Sequence, residues 1–238
     1  MPRKLLRERN HPAVPTTPSV PTHRSDTGGL PTLAATDLAC RRGNRVLFTG
    51  VNFSLDAGQA IWLRGRNGRG KTSLLRLAAG LSVPESGSVS WGGVPVRQAA
   101  GMAHRLLYVA HASALKDDLT VTESLRFLAL LHGRDSDTPA VHQALERVGM
   151  ASRRDAPVRT LSQGQRRRAT LARLALEREA SIWILDEPYD ALDSDGVDCV
   201  NALLHAHLAR GGSVLLTSHQ AVGASAPPMA SFDLDPFA

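Results

Sequence analysis

Apolar positions along the chain follow two rhythms. From Leu33 onward short runs of β character recur, at Arg45–Phe48 and Val51–Leu55, and Ala60–Leu63 leads directly into a glycine-rich turn. Beyond that turn Thr72–Ala79 has helical spacing, with Gly80 as its stop. Gly87–Trp91 and Leu106–Ala110 read as further strands. Between about Leu115 and Leu161 the rhythm becomes helical, with Glu123–Leu131 and Ala140–Val148 as amphipathic segments separated by Gly133, Asp135 and Pro139. The last third alternates again: a helix at about Gly164–Arg178, an apolar strand at Ile182–Leu185, a helix at Gly196–Ala209 and a strand at Ser213–Thr217. Strands alternating with helices predict an α/β fold with a mostly parallel core sheet, here carrying an inserted helical subdomain at about 115–161.

Residues 1–31 stand outside both rhythms. Pro2, Pro12, Pro15, Pro18, Pro21 and Pro31 oppose regular structure and almost nothing apolar is available for burial, so a disordered tail is expected ahead of a folded body over 32–238. Its basic residues Arg3, Lys4, Arg7, Arg9 and Arg24 outnumber Glu8 and Asp26. A solvated tail and a contact with RNA or a membrane surface are both open for it.

Composition narrows the class without naming it. The 238 residues suffice for one sizeable core with a smaller insertion, and 42% apolar content dispersed among charges suits a folded domain. No stretch approaches the roughly 20 apolar residues that span a bilayer, and the start lacks the pattern of a secretory signal, so a cytosolic location is expected. Cys40 and Cys199 are too few and too far apart for a disulfide framework or a metal knuckle. The net charge of +6 is interspersed with acids and is a weak sign of a nucleic-acid partner; none is expected.

The chemistry is carried by three segments. Gly65-Arg66-Asn67-Gly68-Arg69-Gly70-Lys71-Thr72 fits the phosphate-loop pattern G-x-x-x-x-G-K-[ST] between an apolar strand and a helix, the context that the mechanism needs. The glycines let backbone N–H groups converge on phosphate oxygens, and the helix adds the positive end of its dipole. Lys71 would supply charge to the β- and γ-phosphates, Thr72 a hydroxyl to Mg²⁺, and Ser73 a phosphate contact, so ATP and Mg²⁺ are the expected ligands. Ile182-Trp183-Ile184-Leu185-Asp186-Glu187 ends a buried strand with two acids, where unpaired carboxylates are costly. Asp186 suits a Mg²⁺ partner and Glu187 a general base for the attacking water. Leu161-Ser162-Gln163-Gly164-Gln165 opens a strong helix and presents amides and small residues at its N-terminus.

Taken together these segments resemble ABC ATPases, the third matching the signature motif that sets them apart from other phosphate-loop proteins. Asp190-Ala191-Leu192-Asp193 resembles the family's D-loop and Thr217-Ser218-His219 its switch histidine, so five motifs in order cover about Leu33 to His219. The resemblance implies an ABC-type nucleotide-binding domain with an antiparallel β subdomain. It also implies a head-to-tail dimer in which Ser162, Gly164 and Gln165 serve the partner's nucleotide and His219 contacts the γ-phosphate. Arg166, Arg167, Arg168, Arg173 and Arg178 after the signature are expected on a solvated face, with contacts to phosphates or a partner open for some.

Two departures refine the resemblance. Where an aromatic residue commonly stacks on adenine, Cys40 to Arg45 offers arginines: stacking by Arg42 and weaker base selectivity are both open. In Tyr108-Val109-Ala110-His111, His111 replaces the usual glutamine of the coupling loop that reaches the metal-bound water. His111, Asp186-Glu187-Pro188-Tyr189, Asp193 to Val197 and Ser218-His219-Gln220 are similar to the ATP-binding subunit of the cytochrome c maturation haem exporter. That similarity implies a peripheral subunit on the cytoplasmic face of the bacterial inner membrane. Its partners would be integral permease subunits and, indirectly, a periplasmic haem chaperone. An exporter of another small molecule is the alternative within the class, and a soluble ABC ATPase acting on nucleic acid or ribosomes the alternative outside it.

Overall fold

A computed structural model describes residues 30–99, 104–220 and 222–238. The tail expected over 1–31 thus lies almost wholly outside the described residues. Its last two residues already belong to the packed body, since Leu30 is buried and the Pro31 carbonyl accepts from Trp91 Nε1 at 2.8 Å.

Among the described residues nine strands form two sheets. β1 (Leu33–Arg42), β2 (Arg45–Leu55), β4 (Ser86–Trp91) and β5 (Val94–Pro95) make an antiparallel sheet in the order β2-β1-β4-β5. β3 (Ala60–Arg64), β6 (Leu106–Val109), β7 (Ile182–Leu185), β8 (Ser213–Thr217) and β9 (Ala230–Asp233) make a parallel sheet in the order β6-β7-β8-β3-β9. The expected α/β architecture with a mostly parallel core and a separate antiparallel sheet is observed. β1, β9 and the two-residue β5 are additions to the sequence reading. Leu33–Arg42 lacks clean alternation because its register with β2 shifts between Ala35 and Leu38 and again around Cys40. There Asp37 takes φ 47°, and a Cβ on the facing Gly87 would stand 2.2 Å from the Asp37 carbonyl oxygen, so that crossing tolerates only glycine.

The central strands β7 and β8 are buried on both faces, as expected when each side of a parallel sheet is covered, whereas the edge strand β9 is largely exposed. Successive residues of β7 part company: Ile182 and Ile184 join a core shared with the antiparallel sheet and α1 (Lys71–Ala78), while Trp183 and Leu185 join the larger core beneath the remaining helices. Those are α2 (Val121–Leu131), α3 (Thr138–Arg147), α4 (Gln163–Ala175) and α5 (Ser194–Ala209). Their starts fall one to two residues ahead of the apolar pattern, and in α2, α4 and α5 side-chain caps set them. Thr120 with Glu123 and Ser162 with Gln165 form reciprocal capping boxes, and Asp193 accepts from the Gly196 N–H. α4 ends at Ala175 rather than Arg178, since Glu177 turns inward to pair with Arg134. Among the described residues no helix is long and apolar enough to cross a membrane.

A buried histidine sits against the larger core. His207 is fully buried, stacks on Trp183 with ring centroids 3.7 Å apart, and pairs through Nε2 with the Ser181 carbonyl at 2.8 Å. A Cβ on Gly212 would stand 2.2 Å from that same nitrogen, so the chain passes directly against the imidazole. Burial, helped by Arg210, pushes the pKa of His207 down from 6.5 to about 4. Between those values the unfolded chain binds the proton and the folded one does not. The stability this adds is complete above pH 6.5 and is lost on acidification toward pH 4, amounting to about 3 kcal/mol. NMR titration of the imidazole should find His207 neutral down to about pH 5, and a midpoint near 6.5 would remove the assignment.

Candidate active site

β3, β7 and β8 end side by side, and the functional segments leave from their C-terminal ends. The loop from Gly65 to Gly70 follows β3 and turns through left-handed conformations, with Gly65 at φ 137°, Gly68 at 77° and Gly70 at 99°. Gly70 has a second constraint: a Cβ there would meet Leu47 Cβ and Phe48 Cδ1 at 3.1 Å, so β2 forms the outer wall of the turn. Arg66, Asn67 and Gly68 are exposed, Arg69 is half-buried, and Thr72 and Ser73 stand in the first turn of α1. Lys71 is buried, and its Nζ donates to the carbonyls of Gly65 at 2.7 Å and Arg66 at 3.3 Å. The ammonium is therefore folded back over its own loop.

The two acids leave β7 differently. Asp186 is 3% exposed, and its Oδ1 accepts from Thr72 Oγ1 at 3.3 Å and Thr217 Oγ1 at 3.1 Å. Glu187 takes φ 51°, a conformation that L residues seldom adopt and that a functional site retains only when its surroundings impose it. Its N–H donates to Thr217 Oγ1 at 3.0 Å. Its carboxylate accepts from the His219 N–H at 2.9 Å, with His219 Nε2 3.3 Å from the other oxygen. The sequence thus brings Lys71, Thr72, Asp186, Glu187 and His219 to one place, and Thr217 joins them.

The donor set matches the expected metal. The Thr72 hydroxyl and the Asp186 carboxylate are hard oxygen ligands, as Mg²⁺ prefers, and that ion completes its shell with water and phosphate oxygens rather than an all-protein cage. Among the described residues no group of three or more His, Cys, Asp or Glu could form such a cage.

Other predicted positions lie apart from this cluster. Ser162 is exposed and Gly164 and Gln165 half-buried at the start of α4; no hydrogen bond joins them to the phosphate loop among the described residues. Arg42 is exposed beside the tight turn that joins β1 to β2, with Gly43 at φ 57°. The His111 side chain is exposed, and it is the His111 backbone that is held.

What holds it corrects the expectation of a solvated basic face on α4. Arg167 is 7% exposed and donates to five carbonyls: Ala110 at 3.0 Å, His111 at 3.4 Å, Asp186 at 2.8 Å, Glu187 at 2.6 Å and Pro188 at 3.4 Å. Arg173 is buried as well, while Arg166 and Arg168 pair with Asp117 and Asp193, and only Arg178 remains largely exposed, against Asp135. Burial works against the charge of Arg167, and Asp190, Asp186 and Glu187 favour it. The signal was helical phase: Arg167, Thr170, Leu171 and Leu174 are spaced i, i+3, i+4, i+7 on the buried stripe. Asp235 was also missed. It touches the phosphate loop from the far end of the chain, and no motif marks it.

Similarity to known proteins agrees with this geometry. The ABC transporter family matches residues 48–190. The cytochrome c biogenesis ATP-binding export protein CcmA of Aromatoleum aromaticum is 47% identical over 199 residues, 83% of this chain and 93% of that protein. The protein of that name from Escherichia coli K12 is 46% identical over 189 residues, 79% and 89% of the two chains. Among solved structures, an ABC transporter ATP-binding protein from Pyrococcus furiosus shares the fold with a TM-score of 0.74 at 24% identity, covering 87% of this chain and 98% of that one. The chain belongs to the ABC transporter family, among the cytochrome c biogenesis ATP-binding export proteins.

Proposed function

We propose that the chain is the ATP-binding and ATP-hydrolysing subunit of an exporter complex that couples ATP turnover to haem export, or to release of a haem-loaded chaperone, in cytochrome c biogenesis. The observation that carries the ATPase reading is the convergence of Lys71, Thr72, Asp186, Glu187 and His219 at the adjacent ends of β3, β7 and β8. The haem reading rests on the relatives named for cytochrome c biogenesis.

In this reading the N–H groups of the Gly65–Thr72 turn and the N-terminus of α1 cradle the phosphates, and Lys71 Nζ moves from the Gly65 carbonyl to the β- and γ-phosphates. Ser73 adds a phosphate contact from the first turn of α1. Thr72 and Asp186 hold Mg²⁺, which neutralises phosphate charge when bound. Glu187 takes a proton from the water that attacks the γ-phosphorus, and its unusual φ aims the carboxylate out of the strand. His219 orients that carboxylate and contacts the γ-phosphate. Arg42 stacks on the adenine ring, and His111 carries nucleotide state to the membrane partners. Two copies pair head to tail, so that the capped start of α4, with Ser162, Gly164 and Gln165, completes the site of the other copy. With no membrane-crossing helix among the described residues, the subunit docks peripherally on integral permease partners at the cytoplasmic face of the inner membrane.

The test is affinity purification of tagged Glu187→Gln protein from native membranes. Small integral subunits together with a haem-binding chaperone are expected to co-purify; an unrelated permease would keep the ATPase and discard the haem assignment.

A further inference from the structure

The phosphate loop has a neighbour that none of its motifs includes. β9 runs parallel to β3 as the edge of the sheet, with Asp233 opposite Arg64, and the Leu234 N–H donates to the Arg64 carbonyl at 3.0 Å. Leu234 is fully buried, and the Phe232 ring lies between Phe53 at 5.8 Å and Phe237 at 5.7 Å, which anchors the segment against β2. The 3₁₀ turn Asp235–Phe237 follows directly. Asp235 Oδ1 accepts from the Arg66 N–H at 3.0 Å, and its carboxylate stands 3.3 Å from Arg66 Nε and 3.6 Å from Arg69 Nε.

The peptide between Gly65 and Arg66 is therefore held at both ends. Its N–H points to Asp235, and its carbonyl accepts from Lys71 Nζ at 2.7 Å. Gly65, at φ 137°, has the freedom to let that peptide rotate, and the Asp235 bond opposes rotation. Rotation would take away the carbonyl on which Lys71 rests.

We propose that Asp235 is a positioning residue of the nucleotide site: it fixes the Gly65–Arg66 peptide and so holds the phosphate loop in the form that receives phosphate. Electrostatics alone predicts the opposite sign, because a carboxylate beside an anion site weakens anion binding and its removal strengthens it. Positioning predicts that losing the hydrogen-bond acceptor weakens binding whatever the charge does.

The inference rests on the phosphate-loop reading of ATP binding, and the experiment separates the two. ATP affinity is measured by calorimetry in the presence of Mg²⁺ on the full chain carrying Glu187→Gln, with Asp235→Ala, Asp235→Asn and Lys71→Ala added singly. Asp235→Ala is expected to weaken ATP binding about tenfold, the value of a hydrogen bond to a charged group. Asp235→Asn keeps an oxygen for the Arg66 N–H and is expected to bind at least as well as the unmodified chain. Their thermal midpoints should agree, so that a difference in affinity is not a difference in folding. Equal or tighter binding by Asp235→Ala, with Lys71→Ala weakened, would overturn the positioning role and keep the phosphate-loop reading. Lys71→Ala binding ATP as tightly as the unmodified chain would overturn both.

Discussion

Glu187→Gln is expected to leave ATP binding intact while slowing hydrolysis about 10²–10⁴-fold, the usual worth of general-base assistance. The amide has the shape of the carboxylate and keeps an oxygen for the His219 N–H, now 2.9 Å away, so the loop should hold its form. What disappears is the capacity to take a proton from water. Steady-state ATP hydrolysis and nucleotide affinity, measured on the same preparation, check the two halves of the expectation, and an ATP-bound dimer should accumulate. A glutamine variant hydrolysing at the normal rate would strip Glu187 of its role.

The second large effect belongs to Arg167. Its guanidinium is the donor shared by the carbonyls of Ala110 and His111 after β6 and of Asp186, Glu187 and Pro188 after β7. Arg167→Met fills much of the volume but leaves those oxygens without their donor, and loss of a buried charged partner of this kind costs about 3–5 kcal/mol. Urea unfolding reads that loss directly. Arg167→Lys should recover part of it, because an ammonium donates from one point and cannot span both loops as the planar fork does. Hydrolysis should fall further than the folded fraction, since the oxygens released include that of Glu187, whose φ of 51° needs outside support. An unchanged urea midpoint for the methionine variant would show that the five contacts contribute little.

The difference between these two residues shows what was readable in the sequence. Glu187 was visible because function repeats a local pattern: an apolar strand that ends in two acids, in a chain with a phosphate loop. The same holds for Lys71 and Thr72, whereas His219 was placed only by the family resemblance. Arg167 sat in plain view within a run of arginines, but charge suggested solvent while helical phase placed it inward, and phase prevailed because five carbonyls compensate its burial. Asp235 could not be read. The alternation of Phe232 and Leu234 hints at a strand, yet nothing local says that the strand adds to β3, and the contact with Arg66 spans 169 positions. β1 escaped for a related reason, since its register shifts break the period that betrays a strand.

A Cβ on Gly164 would stand 2.7 Å from the Ala191 carbonyl oxygen, and Ala191 itself holds φ 60°, so the start of α4 and the turn after Glu187 are fitted to each other within one chain. In the head-to-tail pair proposed above, Gly164 would also serve the nucleotide of the other copy. A side chain at Gly164 would then press on the turn after Glu187 in its own chain and spoil the site opposite as well. Where altered and normal copies mix at random, every pair with one altered member would have a damaged site, and the altered gene would act as a dominant poison instead of a silent passenger.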